Sequence, residues 1–227
     1  MGRRKSPQNA CLGIEKTSRR RKKNCPKKTS KPFKDARWNF GDIMVEIKFQ
    51  GRGGQGVVIA AQMLARVYFS MGRYPQCFAL FGGERRGAPV ASFLRVDDTK
   101  IYLKCEIKRP DRLIFFAADL VDESDVNLTS NDGRFLLINT TLPEDHYESL
   151  KKFPLVLVDA TAIAARQGIG TAINAAMIGA YCRAAGDISR STLENAVRMS
   201  VPAKVEENVR AAREAYEMTQ LLPEKRQ

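Results

Sequence analysis

The chain has 227 residues, 44% of them hydrophobic, and a formal net charge of +13. That apolar share supports a folded core and excludes wholesale disorder, and the length allows one domain with at most a tail. Nowhere do about 18 apolar residues run together, so no membrane span is expected; the N-terminus lacks the apolar stretch of a secretory signal, and five cysteines, an odd number, point to a reducing, cytoplasmic setting rather than a disulfide framework.

The charge is concentrated at one end. Residues 1–43 hold 14 Lys or Arg against three acids, a net of +11, whereas residues 44–227 hold 24 basic and 22 acidic side chains, a net of +2. The run Arg19-Arg20-Arg21-Lys22-Lys23 and the pair Lys27-Lys28 lie in a stretch with almost no apolar periodicity. Such a stretch cannot bury enough surface to offset chain entropy. Residues 1–43 are therefore expected to form a disordered basic tail, and residues 44–227 the folded domain. The tail reads either as an extension without a role of its own, with Met44 at the start of the body, or as an arm for nucleic acid or an anionic surface.

In the body, Val45, Ile47 and Phe49 alternate with Glu46 and Lys48, which predicts a strand. Gly51-Arg52-Gly53-Gly54-Gln55-Gly56 follows, and then an apolar stretch from Val57 to Met71. Its polar residues Gln62, Arg66 and Ser70 recur every fourth position, which predicts a helix buried except for one narrow wet stripe. Further strands are predicted at Cys77–Phe81, Val90–Val96, Ile101–Glu106, Leu113–Ala117, Phe135–Asn139 and Leu155–Val158. Asp97-Asp98 would join two of them into a hairpin near residues 90–106, which makes the sheet mixed. Short helices are predicted near 119–125, 144–152 and 161–167.

The last third reads as helical. Ile173 to Ala185 carries Ala175, Ala176, Gly179, Ala180 and Ala184, so a neighbour can approach it closely. Ser191 and Glu194 form a capping-box pattern for the next helix. Val205, Val209, Ala212 and Tyr216 mark one face of the last helix. The order implies a three-layer α/β/α, Rossmann-like domain with a mixed sheet and a helical C-terminus.

Gly51, Gly53 and Gly56 match G-x-G-x-x-G between a strand and a helix. Free backbone N–H groups and the helix dipole favour a phosphate at such a turn, and Arg52 adds a cation. Two readings stay open: a phosphate-bearing ligand, or glycines that only allow close strand–helix packing or a protein contact. A nicotinamide or flavin dinucleotide calls for an acid about 20 residues further on, to hold the ribose. Residues 70–76 contain none, so Arg73 alone would have to read a 2′-phosphate. A free-standing NAD(P)-binding oxidoreductase therefore stands as an alternative, as does a nucleic-acid-binding protein acting through the tail.

A second glycine cluster spans Phe81 to Val90, where Gly82, Gly83 and Gly87 mark a loop between two strands. Arg85 and Arg86 on this loop suit an anion, through the planar guanidinium fork, or a subunit contact. The plainer reading is a solvated pair with Glu84 as partner. Cys11, Cys25, Cys77, Cys105 and Cys182 include no C-x-x-C pair, so neither a zinc ribbon nor an iron–sulfur site is readable. The single histidine, His146, sits among Glu144, Asp145 and Glu148 and reads as exposed rather than as a base. No nucleophile–histidine–acid set can be assembled, so the body reads as a binding domain without catalytic residues.

The glycine turn Gly51–Gly56, the loop Glu84–Val90 and the small-residue run Ile173–Ala180, in that order, resemble the gamma subunits of 2-oxoacid:acceptor oxidoreductases, above all those of pyruvate:ferredoxin oxidoreductases. The resemblance covers residues 44–218 and leaves the tail without a counterpart. It implies a hetero-oligomeric enzyme that decarboxylates pyruvate oxidatively, forms acetyl-CoA and reduces ferredoxin. Thiamine diphosphate would sit on alpha and beta partner subunits, and the iron–sulfur clusters on partners that include a delta subunit. For this chain it implies a part in assembly and in coenzyme A binding. Gly51, Arg52, Gly53, Gly54, Gln55 and Gly56 would lie near the coenzyme A phosphates, Arg85 and Arg86 would face the same anion, and Asn174 would hydrogen-bond ligand or loop. It implies no metal site on this chain.

Overall fold

The computed structural model describes residues 44–81, 87–103, 105–122, 126 and 135–220. The expected basic tail, residues 1–43, lies outside the described residues, and so do Arg85 and Arg86.

Six strands form one mixed sheet: β1 (Val45–Arg52), β2 (Tyr74–Phe81), β3 (Pro89–Asp97), β4 (Arg112–Phe115), β5 (Leu136–Asn139) and β6 (Leu155–Val158). Their spatial order is β2-β3-β1-β4-β5-β6. β1, β4, β5 and β6 are parallel, while β3 runs antiparallel to both of its neighbours, β1 and β2. Five α-helices are described: α1 (Val57–Ser70), α2 (Ala160–Arg166), α3 (Asn174–Ala185), α4 (Arg190–Arg198) and α5 (Val205–Met218).

Alternation along the strands explains the two cores. On β4, Ile114 faces one cluster while Leu113 and Phe115 face the other; on β5, Leu137 and the pair Leu136 and Ile138 divide the same way. Because both faces are covered, β4 to β6 are near-continuous apolar runs, as parallel strands usually are. The layers are unequal. All five α-helices contribute to the larger cluster. On the other face, the described cover comes from Val126, Phe153 and the 3₁₀ segment Glu144–Leu150 through Tyr147 and Leu150.

The structure departs from the sequence reading first in the sheet. The described residues of 101–106 form no strand. β3 already has β2 on one edge and β1 on the other, so it has no free edge to offer them. The hairpin is instead β2–β3, and residues 82–86 between these strands lie outside the described residues. The segment crosses toward β4: Ile107 is buried, and Arg95, itself buried, reaches Cys105 Sγ at 3.8 Å and Glu46 at 2.9 Å. Second, α4 is capped by Ser189, whose hydroxyl accepts from the Thr192 N–H at 3.2 Å, not by Ser191 with Glu194. Third, the wet stripe of α1 is wider than its polar residues, because Ile59 and Phe69 are exposed on it. The helix expected near 119–125 is represented by a 3₁₀ turn, Ala118–Leu120, and residues 123–125 lie outside the described residues.

The small-residue helix does admit a close neighbour. A Cβ on Gly179 would overlap the backbone carbonyl of Ala212, so α3 and α5 pack main chain against main chain.

Candidate functional site at the glycine turn

From the end of β1 the chain turns to one side of the sheet, through α1 to β2 and β3, and later continues on the other side with β4. The crevice at the carboxyl ends of β1 and β4 is thus a switch point, where sheets of this kind place ligands. The glycine turn occupies it.

Each glycine there has its own physical reason. Gly51 lies inside β1, opposite Val90, and a Cβ on it would stand 2.5 Å from Val57 Cγ2 and 2.8 Å from Phe116 Cβ. This glycine is required by packing. Gly56 is the N-cap of α1 with φ 75°, a left-handed conformation that costs any other residue strain. A Cβ there would also meet Asn174 Nδ2 at 3.1 Å. Asn174 is buried at the first position of α3, so it backs the turn from the core side.

The turn is less bare than its sequence implies. The Arg52 N–H donates to Gln55 Oε1 at 2.7 Å, and the Gln55 N–H donates to the Arg52 carbonyl at 3.1 Å. The Gly53 N–H donates to the Ala88 carbonyl at 2.9 Å, and the Gly87 N–H returns a bond to the Gly53 carbonyl at 3.3 Å. Those donors hold the turn and the β2–β3 connection together. Gly54 is exposed, and no side chain caps the first turn of α1. The leading N–H groups of a helix have no carbonyl of their own helix to bond, and they carry its positive end.

The Arg52 guanidinium leaves the end of β1 on the face of the sheet opposite the Gly51 position, which packs on α1. It donates to the Gly87 carbonyl at 3.0 Å and forms an ion pair with Asp119, just beyond β4. Beside it is a cleft of about 250 Å³ lined by Gln50, Gly51, Leu80, Val90 and Leu120 among others. A larger groove, about 670 Å³, borders Ser189, Arg190, Glu194 and Arg213 on α4 and α5. Its lining includes none of the glycine-turn residues and its acids sit among its arginines, Glu194 accepting from Arg213 and Glu217 from Arg190, so the glycine turn at the strand ends is the better candidate.

The structure thus brings Gly51 to Gly56 and Asn174 together, with Gly87 and Ala88 of the second cluster against Gly53; Arg86 is joined to Gly87 in the chain. Arg73 is elsewhere. It precedes β2, whose first residue pairs with Asp97 at the opposite end of the sheet, and it is bound to Asp98 at 2.8 Å. Eight residues of strand, roughly 26 Å, separate that end from the turn, so Arg73 cannot read a phosphate there. His146 is exposed in its 3₁₀ segment. Among the described residues no group of three or more His, Cys, Asp or Glu is placed to hold a metal ion, and no helix is long and apolar enough to cross a membrane.

Sequence reasoning missed Asp119 and Asn139. Asn139 ends β5 and ties three strand ends together: its amide donates to the Phe116 carbonyl at 3.1 Å and its Oδ1 accepts from the Ala160 N–H at 2.9 Å. A polar residue at the end of an apolar strand was the available signal for it. It also missed the buried trio Tyr68, Arg112 and Tyr181. The Arg112 guanidinium donates to Tyr68 Oη at 3.1 Å and to Tyr181 Oη. Burial pushes both tyrosine hydroxyls up, so they stay protonated at neutral pH.

The family described as Pyruvate ferredoxin/flavodoxin oxidoreductase matches residues 46–218. The chain is 42% identical over 183 residues to the "Pyruvate/ketoisovalerate oxidoreductases common subunit gamma" of Pyrococcus furiosus, covering 78% of this chain and 98% of that one. It is 40% identical over 174 residues to the "Pyruvate synthase subunit PorC" of Methanocaldococcus jannaschii, covering 76% and 96%. The crystal structure of pyruvate oxidoreductase subunit PORC from Thermotoga maritima superposes with a TM-score of 0.68 at 31% identity, covering 78% and 98%. At 16% identity and a TM-score of 0.56, the 2-oxoglutarate:ferredoxin oxidoreductase of Magnetococcus marinus, solved with coenzyme A and succinyl-CoA bound, shares the fold over 30% of its length.

Proposed function

The chain belongs to the pyruvate ferredoxin/flavodoxin oxidoreductase family as a gamma-type subunit, and from that premise we propose that it serves its enzyme by docking coenzyme A at the glycine turn. The enzyme converts a 2-oxoacid such as pyruvate, with coenzyme A, to the acyl-CoA and carbon dioxide, and passes the electrons to ferredoxin. Thiamine diphosphate and iron–sulfur clusters belong to alpha, beta and delta partners in this reading. They supply decarboxylation and electron transfer.

The observation that carries the proposal is that one glycine turn at the switch point joins Arg52, beside a cleft, to an uncapped helix start, with no catalytic group among them. Each of these features suits a phosphate: uncapped backbone N–H groups, a helix dipole and a planar guanidinium. The role of the chain is then to position. Holding the coenzyme A thiol beside an intermediate formed on a partner subunit turns a bimolecular encounter into an intramolecular one, which can remove a large part of a barrier. Arg85 and Arg86, next along the chain to Gly87, would add charge to the same anion.

The test uses the assembled complex. Replacing Arg85 and Arg86 by Ala, singly and together, is expected to raise the KM for coenzyme A by about tenfold for each arginine removed. An unchanged KM in all three variants refutes the docking role. Complex formation, followed by co-purification of thiamine- and cluster-bearing partners, checks the subunit assignment separately.

A further inference from the structure

Asp119 has no place in the docking scheme above, yet it holds the residue on which that scheme most depends. It lies in the 3₁₀ turn Ala118–Leu120 that leaves β4, across the crevice from the glycine turn. Of the two terminal nitrogens of Arg52, one donates to the Gly87 carbonyl and the other pairs with Asp119. The guanidinium therefore bridges three segments: the glycine turn, the β2–β3 connection and the exit from β4. The Gly87 contact is to a neutral carbonyl and leaves the charge uncompensated. Asp119 compensates it with a carboxylate, which lies where a ligand phosphate would have to sit to reach the same nitrogen.

We propose that Asp119 is a placeholder for the ligand anion: it keeps Arg52 turned into the crevice while the site is empty, and coenzyme A binds by displacing it. This rests on the reading of the glycine turn as the coenzyme A site. Exposure makes the exchange feasible. The Arg52 side chain is 40% exposed and that of Asp119 is 60% exposed, so water reaches both and screens their attraction. Pairs of that kind are weak and exchange readily. A pyrophosphate carries more charge than a carboxylate, so it outcompetes Asp119 for the one nitrogen. The Gly87 contact needs no change, and the connection stays docked on the turn.

The placeholder makes a prediction of unusual sign. Removing an acid beside a cation usually loosens a site, whereas here Asp119→Asn relieves a competitor. In the assembled complex, Asp119→Asn is expected to lower the dissociation constant of coenzyme A by about threefold, the scale of one exposed charge pair. Arg52→Gln is expected to raise it, and Asp119→Asn should have no further effect in the Arg52→Gln background, because Asp119 acts only through Arg52. Isothermal titration of the four complexes with coenzyme A reads all of this. Weaker binding in Asp119→Asn would make the residue an orienting partner and overturn the proposal. Equal tightening with and without Arg52 would overturn it too, by showing a general field effect. No change in Asp119→Asn with a clear loss in Arg52→Gln would overturn the placeholder and leave the docking site standing. No change in Arg52→Gln would remove the site and the placeholder together.

Discussion

Gly51 shows how one hydrogen atom in place of a methyl group holds the site together. Its would-be Cβ meets a helix residue, Val57, on one side and a residue following β4, Phe116, on the other, so neither neighbour can yield without moving an element. Gly51→Ala is therefore expected to lower stability by about 1–3 kcal/mol, the usual cost of overpacking a filled core. The denaturant midpoint of the full chain measures it, and an unshifted midpoint would show that the turn tolerates the methyl. Gly54, two residues past Arg52, is exposed with φ 98° and nothing within 4 Å of a Cβ. Its demand is conformational only. The same motif therefore contains a packing glycine and a conformational one, and the spacing of the glycines cannot tell them apart.

Elements are fixed against each other by charge as well as by apolar contact. Glu194 on α4 is the hub between α4 and α5: it accepts from Arg213 at 2.8 Å and lies near Arg190 and Arg198. The hydrogen bond from Arg213, with Arg198 and Arg190 behind it, holds the carboxyl below the ordinary 4.5. A carboxylate whose pKa is lower in the folded state than in the unfolded chain adds stability above the unfolded value and loses it as pH falls through the folded one. The denaturant midpoint of the native chain should therefore fall with acid more steeply than that of Glu194→Gln, starting near the ordinary 4.5, and the gap between the two should close as pH falls through the lowered folded value. Parallel midpoints across that range would show that the hub contributes nothing to the docking of α4 on α5. The contact of α3 with α5 should be indifferent to pH, because it rests on Gly179 against the Ala212 main chain.

At the scale of the whole molecule, the sheet order places the site. Antiparallel β3 beside β1 sends the first half of the chain to one edge, and β4 to β6 fill the other, so the crevice opens where β1 meets β4. The family match begins at residue 46, and residues 44–227 carry a net charge of only +2, so the basic character belongs to residues 1–43. Deleting those residues is expected to leave complex assembly and coenzyme A-dependent ferredoxin reduction intact, while any binding to polyanions, with its steep salt dependence, disappears. Loss of activity on deletion would give the tail a part in the enzyme.

By itself, the sequence determined the local units: strand, glycine turn and helix at Val45 to Ser70, the buried parallel strands, the small-residue face of α3 and the apolar face of α5. These are legible because period and composition act over a few residues. Only the tertiary structure decided what lay between distant residues. Ile101 to Glu106 has a strand-like composition, but pairing needs a free edge and β3 has none. The Gly53 N–H is spent on Ala88, 35 residues away, and Arg52 is paired with Asp119, 67 residues away. A backbone donor or a guanidinium has the same chemistry whichever partner takes it, and which partner takes it depends on the approach of segments whose separation no local pattern encodes.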